Sequence, residues 1–280
     1  MKNILSIDIE DYFQVENFKE YINYDEWDNY ECRIEKNVVK ILNILDTFDY
    51  KATFFVLGWI AQRYPNLIRE IFNQGHEIAT HGYGHELIYK QSEKEFENDL
   101  LTSINIIEDI IDDKILGYRA PSFSITNESY WSLDIIKNLG LQYDASIFPI
   151  KGHDRYGLSN VEPEISELNN GLYEIPPATI KFLGKRWPIA GGGFFRLFPY
   201  WLTKMGIKRL NRKRKPAVIY LHPWELDPEQ PRIKAADIFS KFRHYVNLDK
   251  TEKKFKKLLS DFQFTSISDY LDLKKGDNNA

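Results

Sequence analysis

The chain alternates short apolar runs with amphipathic stretches. Ile4 to Ile9 is rich in β-branched residues and ends in carboxylates, which predicts a buried strand. Arg33 to Phe48 places Ile34, Val38, Ile41, Leu42 and Leu45 three or four apart, the pattern of one helix face. Ala52 to Val56 predicts a second strand. Pro65 to Asn73 predicts a helix with proline in its first turn and Gly75 just past its end. Glu77 to His81 reads as a third strand, Glu93 to Ile111 as a long amphipathic helix and Ile115 to Arg119 as a fourth strand. Asn127 to Leu139 reads as a helix stopped by Gly140, and Leu141 to Asp144 as a fifth strand.

Strands that alternate with helices predict a parallel sheet with helical crossovers. In such folds functional residues gather where strands end, and Asp8, His81, Arg119 and Asp144 all fall there. After residue 150 the alternation weakens. Residues 162–183 carry prolines and an Asn-Gly pair and predict hairpins and loops. Gly191-Gly192-Gly193 marks a tight turn or a close backbone approach. Ala217 to Leu221 predicts a last apolar strand, ending at His222-Pro223-Trp224, and the tail from Lys274 is expected to fray.

Composition narrows the function classes. With 43% hydrophobic and 28% charged residues, the 280-residue chain reads as a soluble globular protein. Its 15% aromatic content fills a core first and lines a groove second. One cysteine, Cys32, excludes a disulfide framework and a Cys-based zinc site, so a metal must be held by His, Asp or Glu. A net charge of −4 excludes nucleic-acid binding by overall charge. Carboxylates at Asp8 and Glu10 interrupt any signal-peptide core. The most apolar stretch, Ala52 to Ala61, is about half the roughly 20 residues a bilayer requires. The expected compartment is the cytoplasm.

Four constellations carry candidate chemistry. His81-Gly82-Tyr83-Gly84-His85 spaces two histidines so that a helical turn would put them on one face for a metal; the plain alternative is two unrelated surface histidines. Asp8-Ile9-Glu10-Asp11 is either a solvated acidic turn or a source of a metal ligand and a base. In a continuing strand Asp8 and Glu10 face the same way and Asp11 points away. Arg119 either closes a buried strand, where it needs a partner such as Asp8, or is a surface arginine before the turn proline Pro121. His222 follows an apolar strand, where it is either structural or a general acid. His76 reads as structural, and His153 and His244 lack supporting context.

In this order the four pieces resemble the carbohydrate esterase family 4 polysaccharide deacetylases, the NodB homology domain. The Asp-Ile-Glu-Asp-Tyr-Phe-Gln-Val opening, Tyr143 to Pro149, Gly191 to Arg196 and His222 to Asp227 resemble most the deacetylases of exosortase and exopolysaccharide gene clusters. The resemblance implies a distorted (β/α)7-type barrel with a loop- and hairpin-rich C-terminal elaboration. It implies a single domain over 1–280, with a NodB-like core at 1–150 and a subfamily-specific part at 151–273 that includes the last core strand, 217–222.

It further implies N-deacetylation of an N-acetylated glycan by a metal-activated water. By position, His81 and His85 hold the metal, Asp8 is the base, Arg119 orients Asp8 and His222 is the acid. Asp144 falls to the tuning of His222, and the Ser122 backbone N–H to the oxyanion. Many relatives have two adjacent aspartates in the first motif. Ile9 fills the second slot here, so the carboxylate ligand moves to Glu10, with Asp11 as substitute. The expected ion is zinc, with cobalt, nickel or manganese as alternatives.

Two other readings stay open: a cyclic amide or imide hydrolase of the same fold, and a glycan-binding protein without catalysis. The basic run Lys204, Lys208, Arg209, Arg212, Lys213, Arg214 and Lys215 is a solvated helix face on the plain reading. On the functional one it meets an anionic membrane surface. Oligomeric state is not encoded in any pattern found.

Overall fold

A computed structural model describes residues 1–150, 157–158, 161–189 and 191–273. His153 and the tail from Lys274 lie outside the described residues.

The chain runs β1 (Lys2–Ile9), α1 (Ile34–Thr47), β2 (Thr53–Val56), α2 (Gly58–Arg63), α3 (Pro65–Asn73), β3 (Glu77–Thr80), α4 (Glu93–Ile111), β4 (Gly117–Tyr118), α5 (Ser132–Asn138) and β5 (Tyr143–Asp144). Two small hairpins follow, β6 (Ser166–Glu167) with β7 (Tyr173–Glu174) and β8 (Thr179–Phe182) with β9 (Lys185–Pro188). Then come α6 (Gly192–Leu197), α7 (Tyr200–Arg212), β10 (Val218–Leu221), α8 (Ile238–Tyr245), α9 (Leu248–Asp261), β11 (Gln263–Thr265) and α10 (Ile267–Leu271).

The main sheet has the order β10-β1-β2-β3-β4-β5-β7-β6, with β11 paired to the start of β1. Every pairing is parallel except β6 with β7. The sheet curls into a half-barrel, the fold class the sequence implied. Among the described residues its edges do not pair into a closed barrel; a backbone bond from the Ala178 N–H to the Val218 carbonyl ties the chain after β7 to β10.

Strand alternation explains both cores. Leu5, Ile7 and Ile9 point outward into the large cluster under the helices. Ile4 points inward with Phe55, Ala79, Tyr143 and Val218, a second cluster that fills the floor of the half-barrel. Ser6 and Asp8 share the inward face of Ile4, one and two steps nearer the open end.

The regular elements follow the sequence pattern closely, and three differences stand out. The fourth and fifth strands shrink to two residues each. The stretch read as one helix over Asn127 to Leu139 is a 3-10 turn at Asn127–Ser129 followed by α5. There Ser129 and Ser132 hydroxyls bond back to the carbonyls of Ser124 and Ser129, competing with a continuous helix. Thirdly, Ala217 to Leu221 is not the last strand. β11 follows it, three residues long and too short to show a period.

Candidate active site

Asp8, Glu10, His81, His85, Ser122 and His222 line one pocket at the open end of the half-barrel. Asp8 and Glu10 enter it together, although β1 ends at Ile9 and the Glu10 N–H bonds back to the Asp8 carbonyl. Asp11 turns away: its carboxylate accepts hydrogen bonds from the backbone N–H groups of Tyr12 and Arg33. The expected substitute ligand is therefore engaged elsewhere.

Arg119 is fully buried beneath the pocket. Its Nη1 donates to Asp8 Oδ1 at 2.6 Å and to Ser6 Oγ at 2.8 Å, and its Nε donates to the Ala145 carbonyl at 3.2 Å. The guanidinium lies over the Phe55 ring, 4.1 Å from its centre. A buried cation needs such partners, and the pairing with Asp8 expected from the sequence is present. It fixes one carboxylate oxygen and leaves Oδ2 toward the pocket, 3.8 Å from His222 Nε2.

The two spaced histidines do not lie on a helical turn. They lie on a loop that leaves β3 through His81, whose N–H still bonds to Val56. Gly82 (φ +75°) and His85 (φ +53°) turn the chain through the left-handed region. Asp99 on α4 accepts from the N–H groups of Tyr83 at 2.8 Å and Gly84 at 3.1 Å. A Cβ at position 82 would come within 2.8 Å of Asp99 Oδ2, so only glycine admits this clamp. Ser103, also on α4, donates to the Gly82 carbonyl.

His81 Nδ1 lies 2.7 Å from the Arg119 carbonyl, so Nδ1 carries the proton and Nε2 keeps its lone pair. Burial lowers the His81 pKa to about 4, which keeps the ring neutral, the form that binds a metal. His85 Nε2 lies 2.7 Å from Glu10 Oε2. Burial alone would raise Glu10, but His85, His222 and His81 together hold it well below the usual carboxylate range. Ligand atoms of Glu10, His81 and His85 all lie within 4.8 Å of one another. Two imidazoles and a carboxylate at this spacing fit a divalent transition metal, and zinc suits the donor set.

His222 follows β10. Its Nδ1 lies 3.0 Å from Glu225 Oε2, and its Nε2 lies 3.5 Å from Glu10 Oε1. Burial opposes the charged ring, yet Glu10, Glu225 and Asp8 raise its pKa to about 9. Glu225 is itself anchored by Arg196 Nε at 2.6 Å. Trp224 stacks on His222 and donates its Nε1 proton to Glu10 Oε1 at 3.2 Å.

This corrects the role read for Asp144. Asp144 accepts from the Ser146 N–H and hydroxyl and interacts with Glu174, whose pKa is pushed well up by burial and by the Asp144 charge. Both its oxygens are engaged by Ser146, and the carboxylate that meets His222 Nδ1 is Glu225. Sequence reasoning missed Glu225, Arg196 and Asp99 as parts of the site. Two of these stood inside quoted motifs, Gly191 to Arg196 and His222 to Asp227, but nothing in a linear pattern shows that the motifs meet.

Ser122 (φ +51°) and Phe123 (φ +55°) are consecutive left-handed residues in the turn after Arg119. The turn's bonds run from Phe123 N to Ala120 O and from Ser124 N to Pro121 O, so neither uses the Ser122 N–H. The Gly191 prediction of close approach holds: a Cβ there would come within 2.2 Å of the Tyr220 ring. His76 is structural, accepting from the Ala52 N–H. His244 is not contextless: it stacks on Trp224 at 4.1 Å and lines the pocket. Lys204 pairs with Asp261 and Lys215 with Glu164, while Lys208, Arg209, Arg212, Lys213 and Arg214 are exposed.

A curled parallel sheet with a His-His-Glu cluster, a carboxylate and a charged histidine at its open end defines an α/β protein with a candidate metal centre. Residues 19–143 match the family described as polysaccharide deacetylase. Residues 145–272 match a family described as a domain of unknown function, DUF3473. The peptidoglycan-N-acetylglucosamine deacetylase of Bacillus cereus is 38% identical over 84 residues, which cover 30% of this chain and 28% of that protein. The matches span less than two-fifths of the first curated relatives' lengths.

A Mycobacterium smegmatis protein assigned to the polysaccharide deacetylases superposes with a TM-score of 0.63 at 18% identity, covering 96% of this chain and 88% of that one. A CE4 family pseudoenzyme from Bacillus anthracis superposes with a TM-score of 0.51 at 17% identity, covering 99% and 68%. One fold thus houses both assignments, and activity is decided by the residues of the site. Among the described residues no helix is long and apolar enough to cross a membrane.

Proposed function

We propose that this chain is a metal-dependent hydrolase that removes N-acetyl groups from the sugars of a polysaccharide or lipid-linked glycan. The observation that carries the reading is the grouping in one pocket of the Glu10, His81 and His85 donors, an Asp8 oxygen left free by Arg119, and a His222 ring held charged by carboxylates.

A divalent cation on those three donors would supply Lewis acidity toward water and the acetyl carbonyl; zinc suits them best, with cobalt, nickel and manganese as alternatives. Asp8 takes a proton from the attacking water. Arg119 fixes the orientation of Asp8. The Ser122 N–H faces the oxyanion that develops on the carbonyl oxygen. His222 gives its Nε2 proton to the amine as the carbon–nitrogen bond breaks, and Glu225 on Nδ1 stabilises the charged ring. Amide and water become amine and acetate.

We take residues 1–280 as one unit, with a core at 1–150 and an elaboration at 151–273. In support, β10 pairs with β1, and the second part brings His222 to donors of the first. The basic run at 204–215 is read as a peripheral contact with an anionic membrane surface.

Acetate release from N-acetylglucosamine oligomers and an N-acetylated exopolysaccharide, with and without chelator, tests the reaction. Chelator-sensitive acetate is the expected result. No acetate from metal-containing protein transfers the site to cyclic amides or imides; no acetate and no bound metal leaves a glycan-binding protein.

A further inference from the structure

Residues 175–224 contain eleven Lys and Arg and no Asp or Glu, in a chain whose formal net charge is −4. The charge is therefore strongly polarised along the chain. The same segment exposes Phe182, Leu183, Trp187, Leu197, Trp201 and Met205, each 46% or more accessible. Apolar groups this exposed and this close in sequence are unusual in a soluble protein.

Two local features set these side chains apart from incidental exposure. The β8–β9 hairpin turns through Leu183 (φ +47°) and Gly184 (φ +77°), a two-residue connection with both residues left-handed. Asn or Gly suits the first position of such a turn; a leucine there is strained and, at 84% exposure, makes little contact with its own fold. On α7, Thr203, Gly206 and Ile207 face inward. At 3.6 residues per turn, Trp201, Met205, Lys208 and Arg212 form one stripe on the opposite side. The hairpin and the helix pack together where Ile189 fills the notch at Gly206, within 2.7 Å of where a Cβ would lie.

We propose that the β8–β9 hairpin and the outer stripe of α7 form a surface that inserts shallowly into an anionic lipid bilayer, Leu183 and Trp201 entering the acyl boundary and the lysines and arginines meeting the headgroups. This goes beyond an electrostatic contact at 204–215, because it assigns the apolar half of the interface and includes the hairpin. Aliphatic Leu183, Leu197 and Met205 favour lipid over sugar, which stacks on aromatic faces. The surface continues into the active-site rim, since α6 begins at Gly192 in the pocket and ends at exposed Leu197. The inference does not depend on the deacetylase reading, because lipid binding is measured without substrate.

The test is co-sedimentation of the full chain with phosphatidylcholine vesicles, alone or with roughly one-third phosphatidylglycerol. Binding to the anionic vesicles, weakened by salt and absent with the neutral ones, is expected. Trp201→Asp should weaken binding about tenfold, and Arg212→Gln about fivefold. Leu183→Asn guards against misfolding, because asparagine suits the left-handed turn: it should also weaken binding while thermal unfolding stays unchanged or rises. Vesicle binding that all three substitutions leave intact would overturn the proposal. So would no binding to vesicles, or binding to a soluble polyuronate in their place, which would make the surface a glycan platform.

Discussion

Residues 1–144 deliver Asp8, Glu10, His81, His85 and Arg119 from the ends of strands in a regular β/α succession. Residues 191–225 deliver His222, Glu225 and Arg196 from a glycine-initiated helix and the turn after β10. The first group is a set of donors with one buried cation to hold it. The second is a single proton carrier with a carboxylate and an arginine behind it. In the proposed reaction this difference is a division of labour: the first half would bind and activate, and the second half would protonate the leaving group. The parallel pairing of β10 with β1 brings them within reach.

The strongest break of this division is His81→Ala. It should abolish metal binding and lower acetate release to the level seen with chelator, while the circular dichroism spectrum stays native. Full metal content with turnover would remove the cluster from the mechanism. His222→Ala should behave oppositely with respect to metal: occupancy stays, and turnover falls by roughly 10²–10⁴, the usual worth of a general acid or base. If metal were lost together with turnover, the two halves would not be separable.

The first half was legible because its elements have periods. Ile34 to Leu45 and Glu93 to Ile111 show their helical faces, and β1, buried on both sides, reads as a near-continuous apolar run. Asp8, His81, Arg119 and His222 could be picked out because polar residues ending apolar runs are conspicuous. What the pattern hid was contact between distant turns. Asp144 and Glu225 are both buried carboxylates, and only the fold shows that Ser146 and Glu174 occupy one while His222 meets the other. The His81–His85 spacing suggested a helix because four residues is a helical repeat; two left-handed residues and the Asp99 clamp achieve the convergence on a loop.

A smaller effect distinguishes the neighbouring carboxylates. Glu10→Ala should lower metal affinity sharply, whereas Asp11→Ala should leave it nearly intact and lower thermal stability by freeing the Tyr12 and Arg33 N–H groups. Equal affinity in the two variants would mean that neither is a ligand. Asp99→Asn, which disturbs the loop without touching the donors, should cost 10- to 100-fold in affinity, the usual range for groups that orient ligands. Isothermal titration with zinc on chelator-stripped protein measures all three.

The smallest expected change tests the second half alone. Glu225→Gln keeps the shape of the hydrogen bond to His222 but removes the negative charge. Glu10, Glu225 and Asp8 raise the His222 pKa to about 9, so the ring is charged below that pH and loses its proton above it. Without the Glu225 charge the folded-state pKa falls toward its ordinary value of about 6.5. A cation on Glu10 cancels part of that residue's pull and makes His222 more dependent on Glu225. The sign follows: the alkaline limb of the rate profile moves to lower pH, with little loss in acid and a growing loss as pH rises. The stability that the raised pKa contributes, fully present below about 6.5 and lost through about 9, shrinks as well. Buried Arg196 loses its carboxylate in the same variant, so thermal stability falls at every pH. The decisive readout is therefore the ratio of variant to parent rate across pH, which a uniform loss of folded protein leaves flat and a displaced His222 titration bends downward.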